Sequence, residues 1–305
     1  VKAGCAIASD LVSRSGQPVS VIQLNIAVKY AQQAEFDRKM EVSTTFNQAE
    51  TVDSWRHTRM LDMPRPIYRA FPDARWITVG DGRYGSDAAH LLRRGLSAVA
   101  TSLTDEHLRE AHERGLIREY RAENAEALSL PDDSFDFVLC KESYHHFPRP
   151  PIALYEMMRV ARRGVVLIEP IDDVKILQCF RTLAKKVLRG DSQHEFEKSG
   201  NFLYRTGIRE IRKLMMAMGG EVFAFKGIND FSIPRLRSCP ARGWNLGNVG
   251  TRLGVRVQDA LTGLGLLGYG LGCIIIFNGC PGENILRALR RSGFDVFHLP
   301  KNPYA

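Results

Sequence analysis

Cysteine is scarce in this sequence: six residues, at 5, 140, 179, 239, 273 and 280, none in a CxxC pair or at a metal-ligand spacing. That excludes a zinc ribbon and a dithiol redox centre, and predicts reduced, mostly buried thiols in a cytoplasmic protein. Internal repeats and low-complexity tracts are also missing, which argues against solenoids and disordered tails. No segment has the regular basic–aromatic spacing of an RNA-binding module. Residues 4–12 are too polar and too short for the apolar core of a signal peptide. One stretch, 260–282, lacks charge altogether and is long enough for a bilayer span, but it holds seven glycines. Glycine at that density disfavours a membrane helix, so a buried final strand is expected there instead.

What is present is an ordinary globular balance, with 44% apolar and 25% charged residues in a chain of 305. That suffices for one large α/β domain with additions, or for two small domains. The net charge of +8 is unevenly placed: residues 171–256 hold 16 Lys and Arg against 8 Asp and Glu, and the remainder is balanced at 26 against 26. A local basic excess suits an anionic partner, and solvated helix faces explain it equally well.

Residues 1–18 read as a loose polar start. Two or three helices are predicted between 19 and 60, including 26–40 and 52–63, and the prolines at 64 and 66 stop the helical run. From Trp76 strands and helices alternate: strand 76–79, helix 87–94, strand 98–100, helix 105–114, strand 116–121, strand 135–140, helix 151–160 and strand 165–168. This order predicts a parallel sheet covered on both faces. Beyond it the pattern gives helix 207–218, strand 222–226, an irregular insert at 227–267, strand 272–277, helix 283–292 and a tail.

The strand at 76–79 runs into Gly80-Asp81-Gly82. Glycines there remove the Cβ atoms that would keep a nucleotide-like ligand from the backbone, and the following helix offers free N–H groups. Alone, such a GxG is equally well a tight turn. It is followed by Asn124-Ala125-Glu126-Ala127-Leu128, by Ser134-Phe135-Asp136, by His145-His146-Phe147, and by Arg163-Gly164 leading into Val165-Val166-Leu167-Ile168. Taken together, residues 76–170 resemble the class I S-adenosylmethionine-dependent methyltransferases of the "methyltransferase 11" type. Sugar and natural-product O-methyltransferases carry a similar histidine segment.

The resemblance implies an α/β, Rossmann-like sheet of seven mostly parallel strands with a final antiparallel strand and helices on both faces. N-terminal helices and a C-terminal insert would be added to it. The implied division is a helical segment at 1–65, a core at 66–280 containing the insert, and a C-terminal helix and tail at 281–305. It also implies S-adenosyl-L-methionine as cofactor. Gly80, Asp81 and Gly82 would pass beneath its methionine part, and Arg83 could pair with its carboxylate or be an exposed turn residue. Asn124 and Ala125 would face the adenine. Leu103, Cys140 and Lys141, at the ends of strands two and four, complete the implied cofactor set. Two departures stand out. Ser102 occupies the place of the family's ribose-gripping acid, and a hydroxyl is a weaker acceptor than a carboxylate. Tyr84 takes the third glycine's place, with Gly85 one residue later.

Methyl transfer from a sulfonium to a hydroxyl needs alignment and a proton acceptor. Residues after strand four lie at the carboxyl edge of the sheet, where such sheets bind ligands. An imidazole there suits a general base, which makes His145 the first candidate and His146 the second, unless they only pack. Glu169 could orient the histidine or bind a substrate hydroxyl. Asp172 and Asp173 lack further ligands, so no metal is expected. Residues Trp55, Arg56 and His57, the stretch 191–205 and the 227–267 insert are the places for acceptor recognition. The leading expectation is O-methylation of a saccharide or other polar small molecule, such as an anionic glycan. An RNA or protein methyltransferase and a non-catalytic cofactor-binding scaffold are the alternatives.

Overall fold

The computed structural model describes residues 21–39, 50–82, 84–173, 175, 202–301 and 303; for residues 21–25 and 36–39 the backbone alone is described. The expectations for residues 1–18, for Arg83 and for most of the 191–205 stretch fall outside these residues.

Along the chain come α1 (Val21–Lys39), α2 (Val52–Leu61), α3 (Arg65–Ala70), β1 (Arg75–Val79), α4 (Ser86–Arg93), β2 (Ser97–Ser102), α5 (Glu106–Glu113), β3 (Glu119–Ala122) and β4 (Phe135–Lys141). They are followed by α6 (Pro150–Val160), β5 (Ala161–Pro170), α7 (Ile208–Ala217), β6 (Val222–Ile228), α8 (Leu246–Gly263), β7 (Leu271–Phe277), α9 (Glu283–Arg291) and β8 (Asp295–His298). One sheet contains all the strands among the described residues, in the order β3-β2-β1-β4-β5-β7-β6-β8. β1 to β5 pair in parallel, β7 runs antiparallel to both β5 and β6, and β8 is antiparallel to β6. The expected α/β class and the antiparallel β7 are present.

Every residue of β4 and β7 is buried, as apolar strands covered on both sides must be. Alternate side chains feed two cores. Trp76, Phe137, Val166 and Ile275 face α2, α3, α4 and α9, whereas Val79, Val138, Val165 and Ile274 face α6 and α7. The charge-free 260–282 stretch divides into the end of α8, a turn and the buried β7. Among the described residues no helix is long and apolar enough to cross a membrane. Gly164 lies where β5 meets β7, and a Cβ there would collide with the Ile276 carbonyl oxygen. Backbone cannot swing aside as a side chain can, so Gly164→Ala is expected to cost about 3 kcal/mol, read as a lowered urea midpoint at unchanged slope.

Four expectations need correction. The prolines at 64 and 66 end α2 but also start α3, which has proline in its first turn, where a missing N–H costs nothing. The 227–267 insert is not irregular, because it contains the 18-residue α8, capped by the Asn245 side chain accepting from Asn248 N–H at 2.9 Å. The C-terminal tail contributes the eighth strand, with Phe297 stacked on Phe223 at 4.8 Å. Of the four described cysteines, Cys140 and Cys273 are buried, Cys239 is half-buried and Cys280 is exposed.

Candidate functional site

The carboxyl edges of β1, β2, β4 and β5 converge beside the Gly80–Gly82 turn. Gly80 takes φ +78°, and a Cβ on it would come 2.5 Å from Ser143 Cβ. Ser143 in turn donates its hydroxyl to the Gly80 carbonyl at 2.7 Å, which ties the β1 turn to the loop after β4. Gly82 has ordinary φ, and its missing Cβ would lie 3.1 Å from Ser102 Oγ. Ser102 and Gly82 therefore lie side by side where the resemblance implies the cofactor groove, with half-buried Leu103 next in sequence.

Asp81 does not offer its carboxylate to this groove. It accepts from Asp87 N–H at 3.1 Å, from Ala88 N–H at 2.8 Å and from the Thr78 hydroxyl at 2.9 Å. It thereby caps α4 and fixes the turn from below. Burial, reinforced by the neighbouring Asp87 charge, pushes its carboxyl up to about 7. Tyr84 sits at φ 55° and Gly85 at φ 60°, so the shifted glycine leaves a tyrosine in left-handed backbone. Its ring is held there against His107, 4.9 Å between centroids.

Asn124 and Ala125 follow β3. The Asn124 side-chain oxygen already accepts from Glu126 N–H at 2.9 Å, which closes a turn in the manner usual for asparagine. Only its second lone pair remains for a ligand. Ala125 is buried beside it. Glu126 receives both the backbone N–H and the Nε of Arg149, the latter at 2.7 Å. Tyr30 of α1 reaches this corner, where burial and the Glu126 carboxylate push its hydroxyl up.

The loop after β4 carries the strongest constellation. Glu169, wholly buried at the end of β5, accepts Ser143 N–H at 2.9 Å and Tyr144 N–H at 3.0 Å on one oxygen. Its other oxygen lies 2.6 Å from His145 Nδ1. A carboxylate can only accept, so Nδ1 carries the hydrogen and Nε2 of the neutral ring keeps its lone pair. His146 is half-buried, and its ring centroid is 4.0 Å from that of His145. Cys140 is enclosed in the core, with its Sγ 4.0 Å from Glu169. Burial raises its thiol well above the ordinary value. Lys141 is buried between Asp87 at 3.4 Å and Glu142 at 3.2 Å.

The N-terminal addition reaches the same edge. His57 of α2 places Nδ1 3.4 Å from Glu142, and Arg56 pairs with Asp53 at 2.7 Å and with Asp230. Trp55 lies beneath the Arg59 and Arg252 guanidinium groups, at 4.9 and 4.5 Å. Ser143, Asp87, Tyr30 and Asp230 were not singled out in the sequence. Only Ser143, one residue before the Tyr-His-His run, carried a positional signal. Asp173 accepts from Tyr269 N–H at 3.2 Å and pairs with Lys175 at 3.6 Å. Among the described residues no three His, Cys, Asp or Glu side chains group as metal ligands.

Residues 77–168 match the family model for a methyltransferase domain. Over 92 residues the chain is 33% identical to an uncharacterized protein of Mycobacterium tuberculosis, covering 29% of this chain and 32% of that one. A Mycobacterium bovis protein matches to the same extent. The match thus spans about a third of these relatives' length. Among solved structures, a SAM-dependent methyltransferase from Thermotoga maritima is similar at 17% identity and TM-score 0.47, covering 83% of this chain and 99% of that one. One from Archaeoglobus fulgidus gives 13%, TM-score 0.48, and coverage of 73% and 94%. Residues 77–168 are thus similar to a methyltransferase domain.

Proposed function

We propose that this domain methylates a hydroxyl oxygen of a saccharide or another polar small molecule, with His145 as general base and Glu169 as its positioning residue. The observation that carries this reading is the 2.6 Å contact between His145 Nδ1 and buried Glu169, which sets the hydrogen of the neutral ring on Nδ1 and the basic lone pair on Nε2. When bound, S-adenosylmethionine supplies an activated methyl group on sulfonium sulfur. Gly80 and Gly82 would let its methionine part lie along the turn, Ser102 would face the ribose, and Asn124 and Ala125 would line the adenine side. The groove fits such a ligand because a Cβ at Gly82 would narrow it at Ser102. His145 Nε2 would take the proton of the acceptor hydroxyl, and Glu169 would stabilise the imidazolium that results. His57, Glu142 and the anion-attracting basic additions would contact the acceptor.

The test is methyl transfer by a His145→Ala, His146→Ala double variant. Loss of transfer to hydroxyl acceptors with cofactor affinity retained supports the reading. Full activity toward every hydroxyl acceptor found would end it.

Ser102 favours a second reading, a cofactor-binding scaffold without turnover. A carboxylate at this position would grip the ribose hydroxyls more strongly than a neutral hydroxyl. Ser102→Asp is therefore expected to tighten S-adenosylmethionine about tenfold, roughly 1.4 kcal/mol by titration calorimetry. Unchanged or weaker binding would place the ribose elsewhere.

A further inference from the structure

Helix α8 is turned inside out. Its inner face carries Asn248, Thr251 and Val255 together with Gly247 and Gly254. A Cβ at either glycine would strike Cys239 or Phe231, in each case at 2.5 Å, so the small residues let the helix lie close on the 231–239 segment. Its outer face is apolar: Leu246 is 89% exposed, Leu253 58% and Leu264 73%, with Val249 and Val257 between them. At about 100° per residue, positions 246, 249, 253, 257, 260 and 264 share one stripe roughly 27 Å long. None of them is charged. Just before the helix, Trp244 stands 97% exposed. Large apolar residues at such exposure mark a surface that something covers.

The border of the stripe indicates what. Residues 227–267 contain five arginines and two aspartates. Both aspartates are engaged within the fold, Asp230 with Arg56 and Asp259 with the Asn229 amide at 2.9 Å. Arg256 is exposed along one side of the stripe. Arg235 is exposed on the 3-10 turn Pro234–Leu236 packed beside it, next to exposed Ile233. Among the described residues neither arginine has a carboxylate within 4.0 Å. Pairing two copies of this face would set arginines against arginines, whereas an anionic headgroup layer complements them. A tryptophan at one end, an aliphatic stripe and flanking arginines are the composition of a helix that lies in a membrane interface.

We propose that α8, with Trp244 and the Pro234–Leu236 turn, docks this chain on the surface of an anionic lipid bilayer. The helix lies in the headgroup plane without spanning it. Its inner side rests on α2 through the Arg252–Trp55 stack, so docking would hold the methyltransferase domain close to the interface.

The full chain is mixed with phosphatidylglycerol-rich vesicles and, separately, with phosphatidylcholine vesicles, and bound protein is measured by sedimentation. Binding to the anionic vesicles at least about tenfold tighter than to the neutral ones is expected. Tryptophan emission should shift to the blue and be quenched by brominated acyl chains, both effects falling sharply in Trp244→Phe because Trp76 is buried and Trp55 is half-buried beneath Arg59 and Arg252. Leu253→Asp with Val257→Asp should lower vesicle affinity at least tenfold with an unchanged melting curve. Arg235→Gln with Arg256→Gln, which leaves the apolar stripe intact, should remove the preference for anionic lipid. Three results would overturn the proposal: no binding to either vesicle, equal binding to both, or a wild-type dimer that the aspartate pair converts to monomer.

Discussion

Glu169→Gln is expected to lower kcat by 100- to 1,000-fold, on the order set by losing a correctly held general base, while affinity for S-adenosylhomocysteine stays within about twofold. Glu169 accepts three hydrogens, two from the Ser143 and Tyr144 backbone and one from His145 Nδ1. A glutamine has one oxygen for these three. If its NH₂ faced the backbone, two buried N–H groups would be orphaned at about 1–3 kcal/mol each. The cheaper arrangement keeps the amide oxygen on the backbone and turns the NH₂ toward His145. Nδ1 must then become the acceptor, so the hydrogen moves to Nε2 and the nitrogen intended as base is occupied. Glu169→Ala differs in kind, because it strands both backbone groups and the imidazole. About 3–5 kcal/mol of stability should be lost, read as a melting temperature lower by roughly 10 °C. Full kcat in Glu169→Gln would reduce the pair to a structural bolt.

The second large effect separates the two glycines of the turn. Gly80→Ala is expected to destabilise the fold by about 3 kcal/mol. It forces a side chain into φ +78° and brings its Cβ 2.5 Å from Ser143 Cβ, an atom fixed to backbone; left-handed strain supplies about 1–2 kcal/mol and overpacking the rest. The Ser143 hydroxyl bond to the Gly80 carbonyl would be disturbed as well. Gly82→Val should behave otherwise, since its backbone is unstrained and the nearest atom is the rotatable Ser102 hydroxyl at 3.1 Å. The melting temperature should hold within about 2 °C, and S-adenosylmethionine affinity should fall at least about tenfold, because the new side chain fills the groove the cofactor backbone needs. Equal losses of stability in both variants would contradict this division of labour.

These contrasts also show which features could be read ahead of the structure. β1, β4 and β5 were legible as short apolar runs, β1 and β5 being closed by glycine and proline, and the Glu169–His145 contact was within reach of sequence reasoning because Glu169 ends β5 and His145 lies in the loop after the adjacent parallel β4. Helix α8 was hidden by its glycines at 247, 250 and 254, which lower helix propensity; those at 247 and 254 let its inner face pack close on Cys239 and Phe231. β8 was hidden by its length of four residues at the sheet's edge, where pairing with β6 decides the conformation. Asp81, between two glycines, carries no local mark of where its carboxylate points. It turned inward because the N–H groups of α4 lie within reach, and a buried helix start must find acceptors. The contact between His57 and Glu142 joins residues far apart in sequence, which no local pattern predicts.

The central claim is that the groove between the Gly80–Gly82 turn and Ser102 holds S-adenosylmethionine. Titration calorimetry of the intact chain with S-adenosylmethionine and with S-adenosylhomocysteine tests it most directly. Saturable binding of both ligands in the micromolar range, weakened at least about tenfold in Gly82→Val and retained in Glu169→Gln, is the predicted result. Absence of binding by both ligands, or binding that Gly82→Val leaves untouched, would contradict it.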